Sequence, residues 1–470
     1  MSSASAAPAG EERLALRGGR DVVLHTSGFT LPSGGSQRFT PYRELIHVAV
    51  GLRGLRLGLQ RGSLFLPRAA FAEPGGALTL AGRLRDRMAA LPDGERRLAR
   101  QAELDRRQLL HVRPVVGLLL ALVCVAFHVL ASFFPAMVSD GEYWRILGLT
   151  REPWRLVTSQ LLHGGWPHLA VNSLGLFAIG GLLERQIGAV RTGLVAVASA
   201  AGAMIGCAWA GYEQVLGASG IVAGFAGALI ALEVRRPDLL PALLRLSRSL
   251  LIGAVAADFA LLSFVPNVAH AAHGGGIVAG ALAALALAPD DPAQFDARPW
   301  MKAALSASLA LALAALGVYA QGLVDPGAAA ARRGARMLDD AHAPIMLLNN
   351  DAWTIATSKH PSQHDLELAL QLAERAVEST RHEDANLLDT LAEVYFQLGR
   401  SEEAVSTIDE AIDLRPGVPY FVEQRRRFLG ERAADDRPEP PAEGPGGDEG
   451  EDGPPFEPDS DAPPAPGVKV

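Results

Sequence analysis

Hydrophobic positions are spread unevenly along this chain. Between residues 114 and 322 they gather into seven apolar runs, at 114–134, 166–184, 189–211, 218–234, 247–265, 270–288 and 301–322. A helix needs about 20 apolar residues to cross a bilayer, so these runs predict seven membrane spans. Ahead of them, residues 20–110 change period. Val22–Thr26, Leu45–Gly51, Leu55–Gly58 and Ser63–Leu66 read as strands separated by Gly-rich turns, as in hairpins, and the stretch Leu80–Ala102 reads as a helix carrying arginines. Beyond the spans, residues 340–430 return to a helical period with polar faces. The fold class expected is mainly α: a polytopic membrane helical bundle, with a small N-terminal cytosolic α+β domain and a C-terminal helical-repeat domain.

The two ends lack such periodicity. Residues 1–19 are rich in Ala, Ser and Gly, and 433–470 consist largely of Pro, Gly, Asp and Glu. Neither stretch buries enough apolar surface to fold, so both are expected to be disordered. The acidic tail accounts for much of the net charge of −8, which therefore says little about partners. No nucleic-acid or phosphate-binding motif is visible. Cys124 and Cys207 each sit inside an apolar run and match no ligand spacing. The N-terminus has no charged-then-apolar leader pattern.

Basic residues near span ends favour the cytoplasmic side. Arg96, Arg97, Arg100, Arg106, Arg107 and Arg113 precede the first run, while Arg235, Arg236, Arg245 and Arg248 lie between the fourth and fifth. Both groups share one side when the N-terminus is cytosolic. The chain is then expected in a bacterial cytoplasmic (inner) membrane, with its C-terminus outside and the starts of the fourth and sixth spans at the outer face.

Those two starts carry the candidate chemistry. Gly217-Ala218-Ser219-Gly220 opens the fourth run, with Gly220 and Gly224 at i, i+4, the small-residue spacing that lets membrane helices touch. By itself the pattern is weak, since a membrane serine can bond its own i−4 carbonyl. The sixth run opens with His270-Ala271-Ala272-His273 and repeats the spacing at Gly276 and Gly280. Ionisable residues inside a membrane are functional candidates by default, so Ser219 and a histidine form a candidate dyad. His168 and Asn172, at i, i+4 in the second run, share one helical face and offer two donors of the kind that builds an oxyanion hole.

From Glu152 to Gly280 the chain resembles the rhomboid family of intramembrane serine proteases. The family's E-x-W-R matches Glu152, Trp154 and Arg155; its H-x-x-x-N matches His168 and Asn172. Its G-x-S-G matches Gly217, Ser219 and Gly220, and its H-x-x-G-x-x-x-G matches His273, Gly276 and Gly280. The resemblance implies a six-helix core, here with one added C-terminal span. It implies Ser219 as nucleophile, His273 as general base, His168 and Asn172 as oxyanion donors, and His163 as a structural loop histidine. It also implies transmembrane protein substrates in the lipid bilayer, cut near the outer face after a small residue, with no cofactor and no metal.

Two departures stand out. Many rhomboids carry an aromatic residue one turn after the nucleophile, where this chain has Ala223, and a second histidine, His270, competes for the role of base. Glycine spacing favours His273. Asp258 in the fifth run reads as a neutral or paired core acid in preference to an orienter of His273, and Glu184 with Arg185 reads as a structural cap of the second span. A rhomboid-like pseudoprotease, a binding or quality-control module for membrane proteins, is the rival reading. Such relatives typically lose the serine or the histidine, and this chain keeps both. A channel or transporter would want repeated halves or a polar path, and the sequence offers neither.

In the C-terminal part, Leu388, Leu391, Ala392, Tyr395, Gly399, Ala404, Ala411 and Pro416 fall at the consensus places of a tetratricopeptide repeat. Trp353, Ala356, Ala369 and Ala376 mark an imperfect earlier copy. The offset between copies exceeds the usual period of about 34 by one, which implies an extra residue in a turn. A polar helix near Val418–Phe428 would cap the array, and a protein partner of the repeats is expected.

Overall fold

A computed structural model of the chain describes residues 11–33, 36–108, 114–134, 136–148, 151–262, 268–290 and 296–438. Arg113, most of the tail and the side chain of Asp258 lie outside the described residues. The chain divides into two units, residues 1–325 and 326–470.

The first unit opens with two antiparallel sheets. Strands Glu12–Leu16, Arg20–Leu24, Gly28–Ser33 and Ser36–Pro41 form one in sequence order, and Leu45–Gly51, Gly54–Leu59 and Ser63–Pro67 form the other. Alternate positions such as Val22, Leu24, Phe29, Leu31, Val48, Leu55 and Leu57 point inward against Leu80, Leu84 and Met88 of the helix Gly76–Ala89. Two expectations are corrected here. The strand Glu12–Leu16 lies inside the stretch expected to be disordered; its Leu14 and Leu16 supply an inward face, with Leu14 paired to Val22. The stretch Leu80–Ala102 is two helices, Gly76–Ala89 and Gly94–Gln108. Pro92, with no N–H to donate, separates them.

Among the described residues, five of the seven runs are helices long and apolar enough to cross a membrane: Val116–Phe133, Trp166–Ile187, Ala189–Ala210, His270–Leu287 and Pro299–Val324. The fourth and fifth runs are the shorter helices Ser219–Arg235 and Arg248–Leu262. At 1.5 Å per residue the Ser219 helix is about 25 Å long, below the ~30 Å of a hydrocarbon core.

The third, fourth and sixth spans form a tightly packed trio. A Cβ on Gly276 would lie 2.2 Å from the Gly220 carbonyl oxygen, and one on Gly280 would lie 2.2 Å from that of Gly224. Gly202 and Gly206 of the third span meet Gly275 and Ala271 of the sixth as closely. Backbone therefore packs on backbone, and each of these contacts needs a residue without a side chain.

Glu184 corrects another expectation. Its fully buried carboxylate accepts from Val115 N at 3.0 Å and from Val116 N at 2.8 Å, so it caps the N-terminus of the first span and not the end of its own. A carboxylate there meets orphan N–H groups and the positive end of the helix dipole.

The α+β domain docks on the loop 236–247, at the end of the bundle opposite Ser219. Ala242 N donates to His47 Nδ1 at 2.9 Å, and Arg245 donates to the Leu59 carbonyl at 2.6 Å while pairing with Glu233 of the Ser219 helix at 2.6 Å. Both members of that ion pair are buried.

The second unit consists of helices Pro326–Met337, Ile345–Ala356, Gln363–Ser379, Ala385–Gln397, Ser401–Leu414 and Pro419–Phe428. Ala369, Ala376, Leu388, Ala392, Ala404 and Ala411 are buried between them. In the turn joining the middle helices, Arg381 and His382 adopt positive φ of 52° and 62°.

Candidate active site

Three segments build the site, and each is held by its own local chemistry. The first is the loop 136–163. Arg155, almost fully buried, pairs with Glu152 and donates to the Ser139 and Glu142 carbonyls at 3.0 and 2.8 Å. Trp154 packs with Met137 and Tyr319, and the Tyr319 hydroxyl donates to the Met137 carbonyl at 2.5 Å. The E-x-W-R residues thus fold the loop.

This loop is tied to the second segment, the turn before Ser219. Tyr143 and Trp144 pair as a short antiparallel bridge with Val215 and Gln214, and Gly217 N donates to the Ser159 carbonyl at 2.8 Å. His163 Nε2 receives Ala218 N–H at 3.5 Å, and its Nδ1 lies 3.3 Å from the Leu161 carbonyl. The Nδ1–H tautomer satisfies both contacts, and the histidine acts as a strut under the turn.

Gly217 has φ of +117°, a conformation few side chains tolerate, and a Cβ there would lie 2.9 Å from His168 Nε2 and 3.8 Å from Asn172 Nδ2. The structure thus brings the expected oxyanion pair against the turn that carries Ser219. Asn172 is buried and spends one amide proton on the His168 carbonyl at 3.1 Å. The ring of His163 stacks edgewise on that of His168 at 5.1 Å. Ser219 is the first residue of its helix and half-buried, and first-turn N–H groups have no intrahelical acceptor. Its amide is therefore an available donor two residues after Gly217.

The third segment is the start of the sixth span. His273 lies on the helical face of Gly276 and Gly280, which presses on Gly220 and Gly224, and it is 5 % exposed. His270 is the first residue of the same helix and half-buried, one turn nearer the end. With Ala223 in place of an aromatic, the start of this helix is supported from the segment just after the third span: Ala271 N lies 3.4 Å from the Tyr212 hydroxyl, and Tyr212 packs beside Ala272. Tyr143, Tyr212 and Tyr319 had no sequence signal, because each acts on a segment far from it in the chain. Among the described residues no group of His, Cys, Asp and Glu is arranged to hold a metal.

Residues 150–290 match the rhomboid domain family. The chain is 28 % identical over 281 residues to the rhomboid protease GluP of Bacillus subtilis, covering 60 % of this chain and 48 % of that protein. It is 32 % identical over 139 residues to the mitochondrial RHOMBOID-like protein 6 of Arabidopsis thaliana, 29 % of this chain and 44 % of that one. The chain thus spans about half the length of these relatives. With the rhomboid YdcA of Bacillus subtilis it shares 33 % identity over 179 residues, which cover 36 % of this chain and 86 % of that protein. Glycine-packed spans, a serine at the start of one and a histidine on the facing one coincide with these matches, and the chain belongs to the rhomboid family.

Proposed function

We propose that the protein is an intramembrane serine endopeptidase that cleaves transmembrane segments of membrane-anchored proteins near the outer face. One observation carries this reading: the Ser219 and His273 helices touch backbone to backbone at Gly220–Gly276 and Gly224–Gly280, beside a turn covered by His168 and Asn172. Ser219 Oγ attacks the scissile carbonyl while His273 takes its proton, and His273 then protonates the leaving amine. His168, Asn172 and the Ser219 amide hold the oxyanion. Water deacylates the enzyme, entering from the end at which the short Ser219 helix stops within the bilayer.

The C-terminal helices are read as two tetratricopeptide-like pairs, Ile345–Ala356 with Gln363–Ser379 and Ala385–Gln397 with Ser401–Leu414, capped by Pro419–Phe428. They recruit a protein partner or substrate and take no part in the chemistry. The α+β domain is cytosolic and the repeats lie outside. A reporter active only outside the cytosol should work when fused after Pro416 and stay silent at Gly94.

The test of the activity uses the full chain in liposomes with a membrane-anchored model substrate. Product masses should place the cut within the substrate's span near one face. A folded protein that binds the substrate and releases it whole would favour the pseudoprotease instead.

A further inference from the structure

Where the α+β domain meets the bundle, a cleft of about 440 Å³ opens, and six arginines line it: Arg43, Arg61, Arg97, Arg100, Arg235 and Arg248. They come from five separate parts of the chain, which is why no contiguous motif announces them. One acidic side chain, Asp238, lines the cleft, and it is already paired with Arg236. Arg97 bonds Asp93 at 2.7 Å. Among the described residues Arg43, Arg61, Arg100, Arg235 and Arg248 have no carboxylate within ion-pair distance. The Nε–H groups of Arg100 and Arg248 are buried without an acceptor.

Buried donors are nearly always satisfied, and like charges brought together repel. A cleft that gathers six guanidinium groups at a domain junction is therefore built for an anion. Guanidinium forks match the oxygens of phosphate in geometry and charge. Arg235 ends the Ser219 helix and Arg248 begins the next, so the cleft lies at the depth where lipid headgroups lie. Basic pockets of this kind between membrane helices take acidic headgroups.

We propose that this cleft binds a phosphate-bearing anion, supplied by the headgroup of an acidic phospholipid. The occupant would bridge the α+β domain to the far end of the nucleophile's helix, whether or not that helix carries a protease.

The test measures lipid retained by the full chain, using native mass spectrometry from nanodiscs of phosphatidylglycerol or phosphatidylcholine, with inorganic pyrophosphate as the soluble arm. The wild-type chain should keep phosphatidylglycerol in preference. Arg61→Gln with Arg100→Gln should bind it about thirtyfold more weakly, at the usual contribution of a basic residue to acidic-lipid binding. Arg61→Lys with Arg100→Lys keeps the charge and should retain most of the binding. Arg298→Gln, at the same end of the bundle but outside the cleft, should change nothing. Thermal melting of each variant checks that it is folded. Variant-sensitive binding of pyrophosphate at micromolar concentration would uphold the phosphate site and assign it a soluble ligand. Equal retention of the two lipids with no pyrophosphate binding would overturn the proposal, as would equal binding by a folded Arg61→Gln, Arg100→Gln chain.

Discussion

The two ends of the Ser219 helix are held by opposite means. At its start, Gly220 and Gly224 lie against Gly276 and Gly280 with no room for a methyl group. At its finish, Glu233 is held by Arg245, which also reaches the Leu59 carbonyl of the α+β domain. Backbone contacts fix a geometry that cannot adapt, because interiors packed at this density resist deformation. A buried ion pair holds a geometry that depends on charge, so removing one partner or offering a competing ligand can alter it. The difference suits a helix whose first residue is the proposed nucleophile and whose last turn meets a separate domain.

The comparison can be broken first at the dyad. Ser219→Ala and His273→Ala should each lower cleavage by about ten-thousandfold or more, with expression unchanged, as loss of a nucleophile or its base does. Activity in a purified Ser219→Ala chain would end the protease reading. Removing one oxyanion donor typically costs about a hundredfold to a thousandfold, and His168→Ala and Asn172→Ala should fall in that range, read as a drop in kcat with little change in KM.

The glycine contacts come next. Gly276→Val would force the sixth span off the Gly220 carbonyl, and a shift of about 1 Å at a reacting group costs on the order of a hundredfold. Overpacking should also lower stability by about 1–3 kcal/mol, measured by thermal melting in detergent. Full activity in this variant would mean that the trio is not what positions His273.

The opposite end should respond differently. Arg245→Ala leaves Glu233 buried and unpaired, which costs about 3–5 kcal/mol, yet cleavage by the surviving folded protein should stay within a few-fold of wild type. Nearby, burial holds the His47 pKa below its ordinary value of 6.5, against the pull of Asp105 and with the help of Arg85 and Arg245. A base depressed on folding contributes stability that is present above 6.5 and lost as pH falls below it. Protonation at Nδ1 would also break the bond from Ala242 N–H. Hydrogen exchange at that amide should therefore quicken as pH drops from 7 to 5 after correction for the intrinsic rate, and His47→Gln should flatten the dependence. An Ala242 amide equally protected at both values would show that His47 does not hold the junction.

Much of this was legible in the sequence because membrane spans and small-residue spacing are local patterns. The seven apolar runs matched helices, and the glycines at i, i+4 marked the faces that touch. What stayed hidden depends on distant partners. Glu184 reads as a cap of its own span, since nothing local shows that it meets the amides of Val115 and Val116. Glu12–Leu16 is too short and charged to announce a strand, and it becomes one by pairing with Arg20–Leu24. Pro92 was a visible breaker that the arginine-rich helical pattern on both sides obscured. The cleft arginines, drawn from the α+β domain and the ends of two helices of the bundle, converge only in three dimensions.

The most direct measurement is labelling of the full chain in membranes with a serine-reactive phosphonate, followed by peptide mapping. The adduct is expected on Ser219 in the wild type, absent after His273→Ala, and close to wild-type level after His270→Ala, whose imidazole sits a turn nearer the helix end. An adduct that survives His273→Ala and disappears with His270→Ala would reverse the assignment of the base. No adduct on Ser219 in a folded wild-type chain would contradict a serine protease altogether.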